Sequence, residues 1–229
     1  MTRIRRHGAS RRDETAGFAT RDERKLRTRA SLLDAALSLM SQGRSFTSLG
    51  LREITREAGV VPTSFYRHFH DMDELGLALV EEGGLALRQM LREARKDAAP
   101  VGDVIRRSVL IYKQYLGEHR MNFMFIAGER SGGSPVIRHA LRNQVNLFVQ
   151  EMAQDLRRLN FLPHLSTATL HLLCGLVVNT MLNAASDILD TPPGEPRLEQ
   201  ELVDNFVRQL RLIFLGALNW KEPPPKPAH

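Results

Sequence analysis

The sequence predicts an all-α protein of about nine helices, and three observations carry that prediction. Apolar residues recur at separations of three and four along most of the chain, the spacing of one helix face. Period-two alternation, the mark of a half-buried strand, is almost absent. Proline and glycine gather between the periodic stretches, at Pro100, Ser131-Gly-Gly-Ser-Pro135, Pro163 and Asp190-Thr-Pro-Pro-Gly-Glu-Pro196.

Taken in order, Leu26, Ala30, Leu33, Leu37 and Met40 form one apolar stripe ending near Gly43, which predicts a first helix over roughly 23–42. A short second helix spans roughly 51–58 and a third roughly 62–69. A long fourth over 72–96 opens on Asp71-Met-Asp-Glu74, an Asp N-cap with Glu at N3. Five more follow at roughly 101–117, 119–129, 135–159, 166–189 and 197–219. The proline-rich end from Glu222 to His229 is expected to be a loose tail.

At 42% hydrophobic, the 229 residues can bury a sizeable core. A single cysteine, Cys174, permits no internal disulfide, and the first thirty residues lack the apolar run of a secretory signal, so a reducing cytoplasm is expected. Residues 1–29 hold ten of the 32 Lys/Arg and four of the 26 Asp/Glu, so the whole formal excess of +6 lies there. A disordered basic arm over 1–22 that seeks a polyanion is one reading; a solubilising terminus without a partner is the other. Leu165 to Ser186 carries no formal charge and is long enough to cross a bilayer. Asn179 and Asn183 would place two amides on one face of it, so a helix buried between protein surfaces is expected instead.

The stretch Arg56-Glu-Ala-Gly-Val-Val-Pro-Thr-Ser-Phe-Tyr-Arg-His-Phe69 departs from the helix-forming character of its surroundings. Gly59 can turn the chain out of the second helix, and Pro62 suits the first position of the third. Two short helices joined by about three residues containing glycine make the helix-turn-helix pattern. Phe65 and Phe69 share a face that can dock on Ile54, Ala58 and the first helix. Thr63 and Arg67 then point outward, with Ser64 and His70 beside them and Tyr66 and His68 on the flanks. Small polar groups at the N-terminal turn let a helix approach base edges, and hydroxyl or cationic groups at its sides meet phosphates. A helical hairpin with a solvated outer face is the plainer alternative.

At Ile54, Ala58-Gly-Val60, Phe65-Tyr-Arg-His-Phe69 and Asp73-Glu-Leu75 the chain resembles the TetR family of bacterial regulators, over roughly residues 24–77. The resemblance implies a helix-turn-helix domain over 23–77 and a ligand-binding and dimerisation domain over 78–220, followed by a loose tail at 221–229. It implies a third helix that enters the major groove of double-stranded DNA, with Arg52, Pro62, Thr63, Ser64, Tyr66, Arg67 and His68 as the DNA-binding set. Three departures should weaken binding: Val61 replaces the usual hydroxyl cap of the third helix, Gly50 that of the second, and Met72 a phosphate-meeting lysine. The basic arm offsets this through counterion release if deleting residues 1–22 flattens the salt dependence of DNA affinity. Leu51-Arg-Glu53, Arg56-Glu-Ala-Gly59, Pro62 to Phe69, Asp73-Glu-Leu-Gly-Leu77 and Glu129-Arg-Ser-Gly132 are similar to the FabR/DesT branch. That branch controls unsaturated fatty acid synthesis and answers acyl thioesters, so a long-chain acyl-CoA effector is implied.

For such a ligand, Phe123, Phe125, Ile126, Phe148, Met152, Leu173, Val177 and Met181 could line an apolar tunnel, or form plain core. Glu129 and Arg130 could orient a head group as an ion pair, or lock two helices together. Arg106 and Arg107 could meet coenzyme A phosphates or lie on a solvated face. Gly83-Gly84, which weakens the fourth helix, could be a soft point between sensor and reader. The uncharged helix at 166–189 and the stripe Leu198, Leu202, Phe206, Leu210, Ile213 and Ala217 suit a four-helix homodimer interface. A two-fold dimer would set its recognition helices about 34 Å apart on a palindromic operator.

Enzymatic chemistry finds no support: there is no HExxH, no phosphate-cradling glycine loop and no nucleophile elbow, and neither metal nor cofactor is expected. His68 and His70 at i,i+2 cannot share a helical face, and Cys174 suits core packing. A nonspecific DNA-packaging protein would also use a basic arm, but the long, neutral helical remainder favours a sensor.

Overall fold

The computed structural model describes residues 20–96, 101–192 and 194–222. Nearly all of the basic arm and the end of the tail therefore lie outside the described residues. Among the described residues there is no strand. The helices are α1 (Arg21–Ser41), α2 (Leu51–Glu57), α3 (Pro62–Phe65), α4 (Met72–Lys96), α5 (Val101–Glu118), α6 (Arg120–Ser131), α7 (Pro135–Arg158), α8 (Thr167–Asp190) and α9 (Pro196–Leu218), with one 3-10 turn at Phe46–Ser48.

Local sequence explains the boundaries. Thr20 and Glu23 form a reciprocal capping box, Glu23 N–H donating to Thr20 Oγ1 at 3.2 Å and Thr20 N–H to the Glu23 carboxylate at 2.7 Å, so α1 starts inside the segment assigned to the arm. Ser134 and Ser166 cap α7 and α8. At α4, Asp71 accepts from Glu74 N–H at 2.9 Å, while the Glu74 carboxylate reaches back to His70 N–H. α3 is shorter than predicted. Its regular part ends at Phe65 and the chain winds on through turns, Phe69 N–H still bonding the Phe65 carbonyl at 2.9 Å. Aromatic and β-branched residues disfavour further regular helix.

The buried face of α1 is Leu32, Leu33, Ala35, Ala36, Leu39 and Met40. The predicted stripe is thus corrected at its start: Leu26 is 68% exposed and Ala30 is also exposed, the buried face of α1 beginning at Leu32 among the described residues.

Two apolar clusters result. The first joins α1, the 3-10 turn, α2, α3 and the start of α4, and it is completed by Phe125 of α6 with Ile137 and Leu141 of α7. The second fills the space among α5 to α9. The packing therefore crosses the sequence boundary expected near residue 77. At the crossing Gly76 lets α4 approach closely: a Cβ there would lie 2.5 Å from Ile137 Cδ1 and 3.0 Å from the Phe46 ring.

α8 is long and apolar enough to cross a membrane by length and composition. In the fold, Leu170, Leu173, Cys174, Val177 and Val178 face the chain's own core, and Leu172, Leu176, Asn179 and Asn183 face outward. The stripe expected on α9 as a partner face is corrected in the same way. Phe206 and Leu210 are 3% and 5% exposed within the single chain, and Leu202 and Ile213 are partly covered. The most continuous apolar stripe of a helix is the one its own core takes first. Leu212, Leu215 and Leu218 are the leucines left outside, with Leu198 at the helix start.

At the C-terminus, Glu222 is pinned rather than loose. Its carboxylate accepts from Ser166 N–H at 2.7 Å and from the Thr169 hydroxyl at 2.9 Å, closing the N-terminus of α8.

Candidate nucleic-acid interface and ligand cavity

The α2–α3 hairpin is built from a short inventory. Gly59, at φ +67°, takes the chain out of α2, and Val60 N–H closes back on the Thr55 carbonyl at 2.9 Å. Pro62 opens α3 behind Val61, whose side chain makes no capping bond. Phe65 and Phe69 lie with ring centroids 5.6 Å apart, buried with Ile54 and the α1 face. Tyr66 packs edge-on to Phe65 but is itself 64% exposed.

Gly50 likewise offers no side chain to cap α2. Glu53 takes its place, accepting Gly50 N–H at 3.1 Å while the Arg44 guanidinium grips the same carboxylate at 2.9 and 3.1 Å. Arg44, and after it the Gly50 N–H, hold the Glu53 carboxyl at about 2. The sequence signal for this was present: a Glu three residues after the cap position.

Of the expected DNA-binding residues, Arg52, Pro62, Thr63, Tyr66 and Arg67 are exposed and Ser64 is half-exposed, all on or beside the hairpin. His68 differs. It is partly covered, its Nδ1 is buried without a hydrogen-bond partner, and burial followed by Lys25, Arg29 and Arg67 holds its pKa below the usual histidine range. Arg29 lies 5.0 Å above the Phe69 ring and pairs with Glu82 of α4 at 2.8 Å. The α1 cations were not singled out from sequence, where they merged with the basic arm.

Behind this surface a cavity of about 60 Å³ lies among α4, α5, α6, α7 and α8. Ile126, Phe148 and Met181 line it as expected. Phe123, Met152, Leu173 and Val177 sit in the adjoining core. Phe125 is a correction: it packs edge-on against Phe46, centroids 5.5 Å apart, in the N-terminal core, because it faces the opposite side of α6 from Phe123. Glu129 and Arg130 do not pair. Arg130 donates to Asn179 Oδ1 at 2.8 Å, while Glu129 is 2% exposed with Oε2 lacking a hydrogen-bond partner. Neighbours on a helix point about 100° apart, which separates the two charges.

The lining also contains Val80, Leu87, Leu141, Val145, Val178, Leu182, Tyr112, Arg88 and Gln144, which sequence did not single out. Tyr112 donates to the Met181 carbonyl at 3.1 Å, and burial pushes its phenol well above the ordinary range. α4 runs unbroken through Gly83-Gly84, and Gly84 makes room for Gln144. Arg106 is engaged with Asp204 at 2.7 Å, in an open groove of about 730 Å³ on the α5–α9 side. Among the described residues no group of three His, Cys, Asp or Glu is placed to hold a metal ion.

Comparison with known proteins matches residues 32–79 to bacterial regulatory proteins of the tetR family, and residues 101–209 to the tetracyclin repressor-like C-terminal domain. Solved structures of the same fold include the fatty acid degradation regulator FadR from Bacillus halodurans, at 15% identity and TM-score 0.64 over 85% of this chain and 97% of that one. FadR from Bacillus subtilis in complex with stearoyl-CoA aligns at 13% identity and TM-score 0.61, over 80% and 96% of the two chains. The SmeT–triclosan complex aligns at 21% identity and TM-score 0.62, over 87% and 99%. The two family matches together span more than two thirds of the 229 residues, and the chain belongs to the tetR family of transcriptional regulators.

Proposed function

We propose that this tetR-family regulator is a homodimeric repressor of lipid-synthesis genes, of the FabR/DesT kind, tuned by a long-chain acyl thioester such as acyl-CoA. The observation that carries the reading is the seating of one helix in both units. α4 begins against the hairpin and runs on to wall the apolar cavity through Val80, Leu87 and Arg88. A ligand that enlarges the cavity by displacing α4 would carry that movement to the surface bearing Thr63, Ser64, Tyr66 and Arg67. The stearoyl-CoA bound by the Bacillus subtilis neighbour supports an acyl ligand by analogy of fold.

The outward leucines of α8 and α9, Leu172, Leu176, Leu212 and Leu215, are the proposed dimer face. Two copies joined there would present paired hairpins to a palindromic operator. A second reading, control of efflux by a compact hydrophobic drug, is favoured by the cavity volume of about 60 Å³ and by the triclosan-bound neighbour.

Footprinting on upstream DNA, followed by operator binding at fixed salt with saturated and unsaturated acyl-CoA panels, tests the proposal. The expected result is one protected palindrome whose occupancy shifts with chain type. Protection without any acyl response would leave a regulator of another ligand, and protection at no preferred site would remove the regulator reading.

A further inference from the structure

Among the described residues the cavity wall contains one cation. Arg88, on α4, has a side chain only 15% exposed, and its Nη1 donates to Gln144 Oε1 on α7. The Glu151 carboxylate stands 3.8 Å from its Nε, an ion pair without a hydrogen bond. A sheltered guanidinium thus gives a charge-assisted hydrogen bond to a neutral amide, without the bidentate carboxylate partner its fork can accept. Gln144 is a displaceable partner, since its amide fills the hollow over Gly84 and can swing about its own side-chain bonds. The other polar group of the lining, the Tyr112 hydroxyl, is committed to the Met181 carbonyl. The remaining walls are aliphatic or aromatic apart from Gly84.

We propose that Arg88 receives the acyl carbonyl oxygen of the ligand in exchange for Gln144, and so selects molecules with a carbonyl or carboxylate at the head of an apolar chain. This inference rests on the acyl-ligand reading above. It also supplies the coupling. Arg88 and Gln144 tie α4 to α7, and twelve residues earlier, about 18 Å along the helix, Gly76 is wedged between Phe46 and Ile137. Releasing the tie frees one end of a rod whose other end is seated in the DNA-reading unit.

Calorimetry on the full chain, with oleate and oleoyl-CoA as separate probes, and operator binding measured alongside, tests this. Arg88→Met keeps the volume and removes the donors; binding of the accepted probe is expected to weaken about ten-fold or more. Gln144→Leu removes the competing acceptor and with it the tie; binding is expected to tighten several-fold, and operator affinity without probe to shift in the direction that bound probe shifts it in the wild type. A merely structural tie would move both variants in the same direction, so parallel weakening overturns the inference. Binding that survives Arg88→Met also overturns it while leaving the acyl reading in place. Wild-type protein that binds neither probe overturns both. Arg88-dependent binding of oleate assigns the head as a carboxylate, and Arg88-dependent binding of oleoyl-CoA alone assigns it as a thioester.

Discussion

The two units bury their cores equally well, Ile54 and Phe65 in the first and Leu116 and Cys174 in the second all being 0% exposed; they differ in that a cavity lies among the helices of the second. In the first unit the hairpin is built of two short helices, α2 and α3, the second of poor intrinsic propensity. It holds its shape through aromatic packing and through substitutes for missing caps, such as Arg44 and Glu53 in front of Gly50. The second unit is built mostly of long amphipathic helices, two of them capped directly by Ser134 and Ser166. The contrast teaches where precision and slack belong: a DNA-reading surface must be rigid to register with base edges, while a sensor needs loosely filled volume and a face left for a partner.

The sharpest way to break the comparison is Phe65→Ala. Deleting a fully buried ring should cost about 3–5 kcal/mol, seen as a lower melting temperature of the N-terminal unit together with loss of operator binding. Thr63→Ala and Tyr66→Ala should do the reverse: about 1–3 kcal/mol of operator affinity each with an unchanged melt, because both side chains face solvent. A specific operator complex indifferent to both would place the reading surface elsewhere. Gly76→Ala probes the seam between the units. Overpacking against Phe46 and Ile137 should cost about 1–3 kcal/mol, and Ile137→Val in the same chain should recover part of it; strict additivity would show that the seam is not under that strain.

Gly83 and Gly84 sharpen the contrast within α4. A Cβ at 83 sits 3.6 Å from Ile126 Cδ1, so Gly83→Ala should raise stability by up to about 1 kcal/mol, while Gly84→Ala must displace Gln144 and gain less. Equal gains would mean that Gln144 holds nothing. The smallest effect is acid dependence. Glu53 keeps its charge in the folded chain down to about 2, below its ordinary 4.5. Its stabilisation is therefore intact above about 4.5 and lost as pH falls through about 2. Glu53→Gln should flatten the acid limb of the N-terminal melt between those limits; an unaltered limb would show that another carboxylate governs it.

Much of the fold was legible without coordinates. Period, caps and breakers located α1 to α9 because each is a local property of the chain, and the hairpin was readable because Gly59, Pro62, Phe65 and Phe69 each answer a local demand. Three failures share one cause. Phe125, Phe206 and Leu210 are apolar residues at helical spacing, and spacing shows that a face is buried but not what buries it. Arg88 and Gln144 lie far apart in sequence, with nothing local to join them.

The sequence by itself thus determined the helices, their order, and the polar groups of the α2–α3 hairpin proposed to meet DNA. Only the tertiary structure decided that Phe125, Ile137 and Leu141 finish the core of a unit they do not belong to in sequence, that α9 turns Phe206 inward and Leu212 outward, and that one arginine borders an apolar cavity. The physical reason is the range of the forces: hydrogen bonds along a helix are set within four residues, while burial is settled by whichever surfaces the whole chain can bring into contact.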